Sequence, residues 1–436
     1  MADRPESLRI RSYNVGFGDC FLLTFFYGDA DAPGTETRNV LIDFGSTKLA
    51  RSSPEGLVAV AEQIREDCGG KLHIVVATHR HADHISGFGG ESGEVIVSLK
   101  PDLVVQPWTE DPNIDPEASA PPTSDGGQLR ARAFAARLSD MQALAAAALA
   151  EVDKLAAVPG VTKTLTEQLR FLGETNIKNE PAVRTLMELS KRRVYASFGT
   201  KLPIDDLLPG VQVDVLGPPT LAESSAIREQ RSRDEDEFWH LAARGAEATT
   251  LADQPVPPIF PDAPKAEQRP QEARWVIPKI DEMVAEERLA IVRVLDSVLN
   301  NTSLILLFTV NKKSLLFPGD AQIENWSYAL FDAPGHEDIV KRLADVRFYK
   351  VGHHGSLNAT PKAGLYRKFK RLNEDPTADR LITMVSTLHG KHGSDARGTE
   401  VPRSVLIDEL KKTSTLLNTQ DLKTKQQFWN DVRIDF

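Results

Sequence analysis

Between Thr78 and Gly87 the chain reads Thr-His-Arg-His-Ala-Asp-His-Ile-Ser-Gly, which crowds His79, His81, Asp83 and His84 into six positions. The apolar run Ile74-Val75-Val76-Ala77 lies directly before them. Imidazole nitrogen and carboxylate oxygen are the donors a zinc-like cation prefers, and a loop leaving a buried strand lets several converge on one point. Extended alternation aims His79 and His81 to the same side. Asp83 and His84 then need a turn, the start of a helix, to swing toward a second ion. A cation held there lowers the pKa of bound water toward neutrality, so hydroxide exists at pH 7.

Three further stretches bring groups of the same kind. Leu41-Ile42-Asp43-Phe44-Gly45 ends an apolar run in Asp43. Ser314-Leu315-Leu316-Phe317-Pro318-Gly319-Asp320 ends another in Asp320. Tyr349-Lys350-Val351-Gly352-His353-His354-Gly355-Ser356 follows a third. His389 and His392 also come after a strand, where surface or capping roles are expected. Between His84 and Asp320 the only histidine is His240.

The His-X-His-X-Asp-His run after a buried strand resembles the signature of metallo-β-lactamase-fold hydrolases, and the other three stretches resemble that family's later motifs in the same order. With Asn14-Val15-Gly16-Phe17-Gly18-Asp19, Asp214-Val215-Leu216-Gly217-Pro218 and Asn301-Thr302-Ser303-Leu304 added, the likeness is closest to the hydrolase domain of ComEC-type competence proteins. It covers the strands of about residues 8–108 and 205–412. The resemblance implies an α/β chain folded as an αββα sandwich. It implies one or two divalent ions, zinc or manganese, held by His79, His81, Asp83, His84, Asp320 and His353, with Asp320 bridging. Asp19 and Asp43 would brace these ligands from behind. Asp83, Asp320 and His354 would serve catalysis, with Lys350 and Ser356 on the substrate. For His354, packing or hydrogen bonding beside the ligand is an equal alternative. Many members place another histidine ligand between the first cluster and the bridging aspartate. Here only His240 is available, so the first ion would keep His79, His81 and Asp320.

The implied activity is a metal-dependent hydrolase acting on phosphodiesters, as a nuclease or nucleotide phosphodiesterase. A carbonyl ester, lactone, thioester or β-lactam as substrate is one alternative. A catalytically idle metal-binding protein is another.

These motifs must be carried by strands. Residues 8–15 and 20–26 read as a hairpin turning at Gly16-Phe17-Gly18-Asp19, where glycine permits positive φ. Strands are expected at 40–45, 74–79, 103–108, 211–218, 302–310, 313–317, 346–351 and 381–386, and helices at 56–67, 282–299 and 404–410. Residues 125–200 read as a helical insertion. Residues 220–290 read as an acidic, proline-rich one, serving as a lid, a partner-binding loop or a plain surface loop. Both would sit within one domain spanning residues 1–436.

Two cysteines in 436 residues imply no disulfide framework. The chain shows neither a basic-then-apolar leader nor an apolar run of about 20 residues. A soluble, cytoplasmic protein that spans no membrane is therefore expected. A net charge of −10 argues against a chain that coats nucleic acid. Yet residues 341–371 carry nine Lys and Arg against the single acid Asp345. Arg367-Lys368-Phe369-Lys370-Arg371 is expected to form a basic helix near the metal motif. It would draw an anionic substrate, single-stranded DNA or a nucleotide.

Overall fold

The structure, a computed structural model, describes residues 4–111, 180–220, 222–224, 299–356, 359–391 and 400–436. It is an α/β chain of two mixed sheets. In the first, β1 (Ser7–Tyr13), β2 (Cys20–Tyr27) and β3 (Glu36–Phe44) run antiparallel. β4 (Ile74–Val76), β5 (Leu103–Pro107) and β6 (Arg192–Ala196) continue from β3 in parallel. In the second, β7 (Gln212–Gly217), β8 (Ile305–Val310) and β9 (Lys313–Phe317) are antiparallel. β10 (Phe348–Lys350), β11 (Ile382–Val385) and β12 (Thr415–Asn418) extend it in parallel from β9. β13 (Trp429–Asp435) returns to pair with β1 at the far edge of the first sheet.

Side-chain alternation builds the layers. On β2, Phe21, Leu23 and Phe25 join Phe308, Phe317 and Phe348 in a core between the two sheets. Cys20 and Leu22 point the other way, into a core shared with Val60, Ala61 and Ile64 of the helix Leu57–Asp67 and Ile96 of the helix Gly90–Ser98. Beyond the second sheet, Ile305, Leu307 and Leu316 pack on Ile339 and Leu343 of His336–Ala344 and on Ile407 and Leu410 of Ser404–Thr413. Burial on both faces explains why the central strands read as continuous apolar runs. Both cysteines are free and buried. Among the described residues, no helix is long and apolar enough to cross a membrane.

Two expectations change here. Residues 180–200 belong to the first sheet's layers, not to an insertion: Ala182, Val183 and Leu186 of the helix Glu180–Glu188 enter its core, and β6 extends the sheet. The stretch 367–371 is no helix; a single 3₁₀ turn, Tyr366–Lys368, is all that forms. The remainder of the helical insertion, nearly all of the acidic one with His240, and the helix expected at 282–299 lie outside the described residues, save for its last residue.

β3, β4 and β5 run parallel, as do β9, β10 and β11, and their carboxyl ends meet along one edge. Leu304 N–H donates to Thr78 O at 3.0 Å, and Ser386 Oγ donates to Gly18 O at 2.5 Å, tying the sheets together there.

Candidate metal centre

The ends of β3 and β4 are locked first. Thr78 donates from its backbone N and from Oγ1 to the Asp43 carboxylate, each at 2.7 Å. Asp43 adopts φ 56, a left-handed conformation that its short side chain tolerates. Gly45 then passes so close to the helix Ala82–Ile85 that a Cβ would lie 2.5 Å from Ala82 O and His84 N. The Asp-Phe-Gly stretch is thus a packing requirement as well as a source of a carboxylate.

His84 donates from Nδ1 to Asp43 Oδ2 at 2.8 Å. That leaves Nε2 facing Asp320 Oδ2 at 2.9 Å, out of line for a hydrogen bond. His354 differs in one respect. Its Nδ1 donates to Ser386 O at 3.0 Å, and its Nε2 is hydrogen-bonded to Asp83 Oδ2 at 3.1 Å and lies 3.5 Å from Asp320 Oδ2. Asp83, His84, Asp320 and His354 therefore gather two imidazole nitrogens and two carboxylate oxygens within 4.8 Å of one another, all buried. His79 Nε2 and His81 Nδ1 lie 3.0 Å apart beside this group. Among the described residues, no third ligand atom joins that pair within the same reach.

Of the two adjacent histidines, His354, expected in catalysis or in packing and hydrogen bonding beside the ligand, holds the inner position. His353, expected as ligand, stands at the rim with Nε2 3.9 Å from Asp320 Oδ2 and a side chain 26 % exposed. Its Nδ1 pairs with Ser356 Oγ at 2.9 Å. Both residues have positive φ, 45 and 52, so a tight turn rather than strand alternation decides which ring points inward.

The β1–β2 turn closes the site. Asp19 N–H donates to Asp83 O at 2.8 Å, and the Phe17 ring packs on His354 at 4.5 Å. Phe17, Thr78 and Ser386 were not singled out from the sequence; for Phe17 the glycines on either side were the available signal. Asp19 forms an ion pair with Lys350, which also reaches Gly319 O at 3.0 Å and Asp320 Oδ1 at 3.4 Å. Lys350 is 2 % exposed, so it is not the substrate contact expected.

Nor does the basic segment face the site. Lys370 N donates to Ala344 O, and Leu381 N donates to Arg371 O. These bonds put Arg367, Lys368, Lys370 and Arg371 near the amino ends of β10 and β11, opposite the ligand edge. Lys370 is paired with Asp345 and Arg371 with Asp379. His389 is exposed, and His392 lies outside the described residues.

Burial lowers the His84 pKa, but Asp320 and Asp43 outweigh it and hold the ring well above its ordinary value. Burial also lowers His354, which Asp320, Asp19 and the bond to Asp83 raise. Burial pushes the Asp320 and Asp83 carboxyls up, yet the imidazoles around them, with Lys350 beside Asp320, hold both below the usual carboxylate range. Burial takes His79 well below its ordinary value and His81 down to about 4, so both are neutral.

This chemistry fits a cation. His84 and His354 already donate through Nδ1, so facing carboxylates with Nε2 requires either a second proton on each ring or a metal ion between them. With the His84 and His354 rings neutral, the four buried carboxylates Asp19, Asp43, Asp83 and Asp320 would be balanced by the Lys350 ammonium alone, an excess that a divalent ion would offset. Asp83 Oδ1 has no hydrogen-bond partner. These buried groups could hold a metal ion.

No family model matches the chain, and no curated protein matches it. Fold and site by themselves define an α/β protein with a buried His/Asp cluster where its two sheets meet.

Proposed function

We propose that the chain is a metal-dependent hydrolase with the αββα sandwich of the metallo-β-lactamase type, cleaving phosphodiester bonds in a small anionic substrate such as a nucleotide. The convergence of Asp83, His84, Asp320 and His354 carries this reading, because each imidazole is committed through Nδ1 and offers Nε2 inward. The order of layers and motifs supports the sandwich, and the motif likeness supports the phosphodiester. The basic segment at the opposite edge favours a small substrate over a polynucleotide.

When bound, a divalent ion such as zinc or manganese would supply Lewis-acid polarisation of a phosphoryl oxygen and a water nucleophilic at neutral pH. Asp43 and Ser386 fix the tautomers of His84 and His354. Asp83 Oδ1, without a partner, is the acceptor available to orient the attacking water and take its proton. With Ser356 Oγ–H donating to Nδ1, His353 presents Nε2–H to a substrate oxygen at the rim. His79 and His81 are the groups that would hold a second ion.

The test is metal analysis of gently purified protein together with turnover of bis-p-nitrophenyl phosphate, single-stranded DNA and nitrocefin. The expected result is phosphodiester turnover that is abolished by EDTA, restored by zinc or manganese, and lost in Asp320→Asn. Turnover of nitrocefin alone would move the reading to carbonyl substrates. Protein that holds no metal and takes up none on addition would end it.

A further inference from the structure

We propose that Lys350 is a positioning residue of this centre: its ammonium fixes Asp320 through Oδ1, so that Oδ2 alone is presented to the cation. The inference rests on the metal reading above and assigns the group that shapes it. The two oxygens of Asp320 have different surroundings. Oδ1 lies 3.4 Å from Lys350 Nζ. Oδ2 lies 2.9, 3.5 and 3.9 Å from the Nε2 atoms of His84, His354 and His353. A carboxylate with both oxygens unheld can rotate and chelate an ion through the pair; an ammonium on one oxygen biases it toward binding through the other.

Lys350 is placed for that task. It ends β10 in the second sheet, whereas Asp19 leads into β2 in the first, so their ion pair joins the two sheets at the ligand edge. Its ammonium forms an ion pair with Asp19 Oδ2 and donates to Gly319 O and Asp320 Oδ1. A counter-charge for Asp19 would need the first contact only. The other two contacts hold the turn that carries Asp320, whose own N–H donates to Ser303 Oγ at 3.3 Å.

The sign of one measurement separates positioning from simple charge compensation. An ammonium beside a cation site repels the cation, so deleting it should tighten metal binding on electrostatic grounds alone. Deleting a group that orients a ligand weakens binding, by about 10–100-fold. Lys350→Met alone strands the buried Asp19 carboxylate and risks the fold. The informative protein is therefore Asp19→Asn combined with Lys350→Met, with Asp19→Asn alone as its control. Zinc affinity is read by competition with a chromophoric chelator, and the visible spectrum of the cobalt(II)-loaded proteins reports coordination number. Folding is checked by circular dichroism.

The double variant is expected to fold, to bind zinc about 10–100-fold more weakly than wild type, and to show weaker cobalt bands as Asp320 becomes free to chelate. Asp19→Asn alone should lose distinctly less than the double variant. Equal or tighter zinc binding in the double variant overturns the inference, as does an unchanged cobalt spectrum. An equal loss in Asp19→Asn alone would also overturn it, by assigning the effect to Asp19. In each of these cases the metal reading stands, because wild type binds. A wild type that binds neither zinc nor cobalt removes both.

Discussion

Asp43→Asn tests how the site prepares its ligands. The change preserves size, and asparagine tolerates the left-handed backbone at φ 56, so the loop itself should survive. The hydrogen bonds cannot all survive. Oδ1 accepts from Thr78 N, and Oδ2 accepts from Thr78 Oγ1 and from His84 Nδ1. If the amide oxygen keeps the Thr78 N–H, its NH2 faces His84. That ring must then accept at Nδ1 and carry its proton on Nε2, where the metal lone pair is needed. If the oxygen turns to His84 instead, the buried Thr78 N–H faces another donor, a loss of about 1–3 kcal/mol. Either arrangement predicts zinc binding weaker by about 10–100-fold, the range usual for groups that orient a metal histidine. Chelator competition measures this directly. Thermal stabilisation by saturating zinc should shrink in step, by about 1.4 kcal/mol for each tenfold loss. An unchanged zinc affinity would refute the claim that Asp43 sets the His84 tautomer.

His354→Ala should weaken zinc binding at least as much as Asp43→Asn, whereas His353→Ala should change it less than tenfold and act on turnover instead, by about 10²–10⁴-fold; metal titration and steady-state kinetics on the pair check this assignment. Changing Arg367, Lys368, Lys370 and Arg371 together to glutamine should leave KM and its salt dependence unaltered for DNA and for bis-p-nitrophenyl phosphate; a flatter salt slope would mean that the segment does reach the substrate. His73 is buried at the amino end of β4 and accepts the Asn39 N–H at Nδ1, and burial brings its pKa down to about 4. The unfolded chain takes up this proton below about pH 6.5 and the folded one only near 4, so stability present above 6.5 should be lost across that window, by roughly 3 kcal/mol at most. In EDTA, the stability of His73→Asn should fall less steeply than that of wild type between those pH values, and parallel curves would contradict this.

What could be read from the sequence follows from how far each signal reaches. The central strands announced themselves because both faces are buried, and their ends located Asp43, His79, Asp320 and His354 at one edge. β6, β12 and β13 did not: Arg192-Arg193-Val194-Tyr195-Ala196 begins with two exposed arginines, and most positions of all three strands are exposed or half-buried. A strand needing burial on one side only carries too weak an apolar pattern to stand apart from a loop.

The candidate site separates the same way, into what spacing decides and what direction decides. Spacing brings Asp83 and His84 into one helical turn, and that suffices to place both beside Asp320. Which ring of His353-His354 turns inward depends on two consecutive positive φ values, and periodicity says nothing about these because neither residue is a glycine. Charge is harder still. Lys350 lies only three positions before His353 and Arg371 lies eighteen after it, yet the first is sealed among carboxylates and the second pairs with Asp379 near the amino end of a strand. A run of cations in sequence is a field at a site only if the chain does not reverse within it. Here the chain leaves the ligand edge after Ser356 and returns to the opposite edge by Lys370, whose N–H meets Ala344 O. The cation that the fold delivers to the candidate site is therefore the buried one, held by Asp19, Gly319 and Asp320, which are brought together from both sheets.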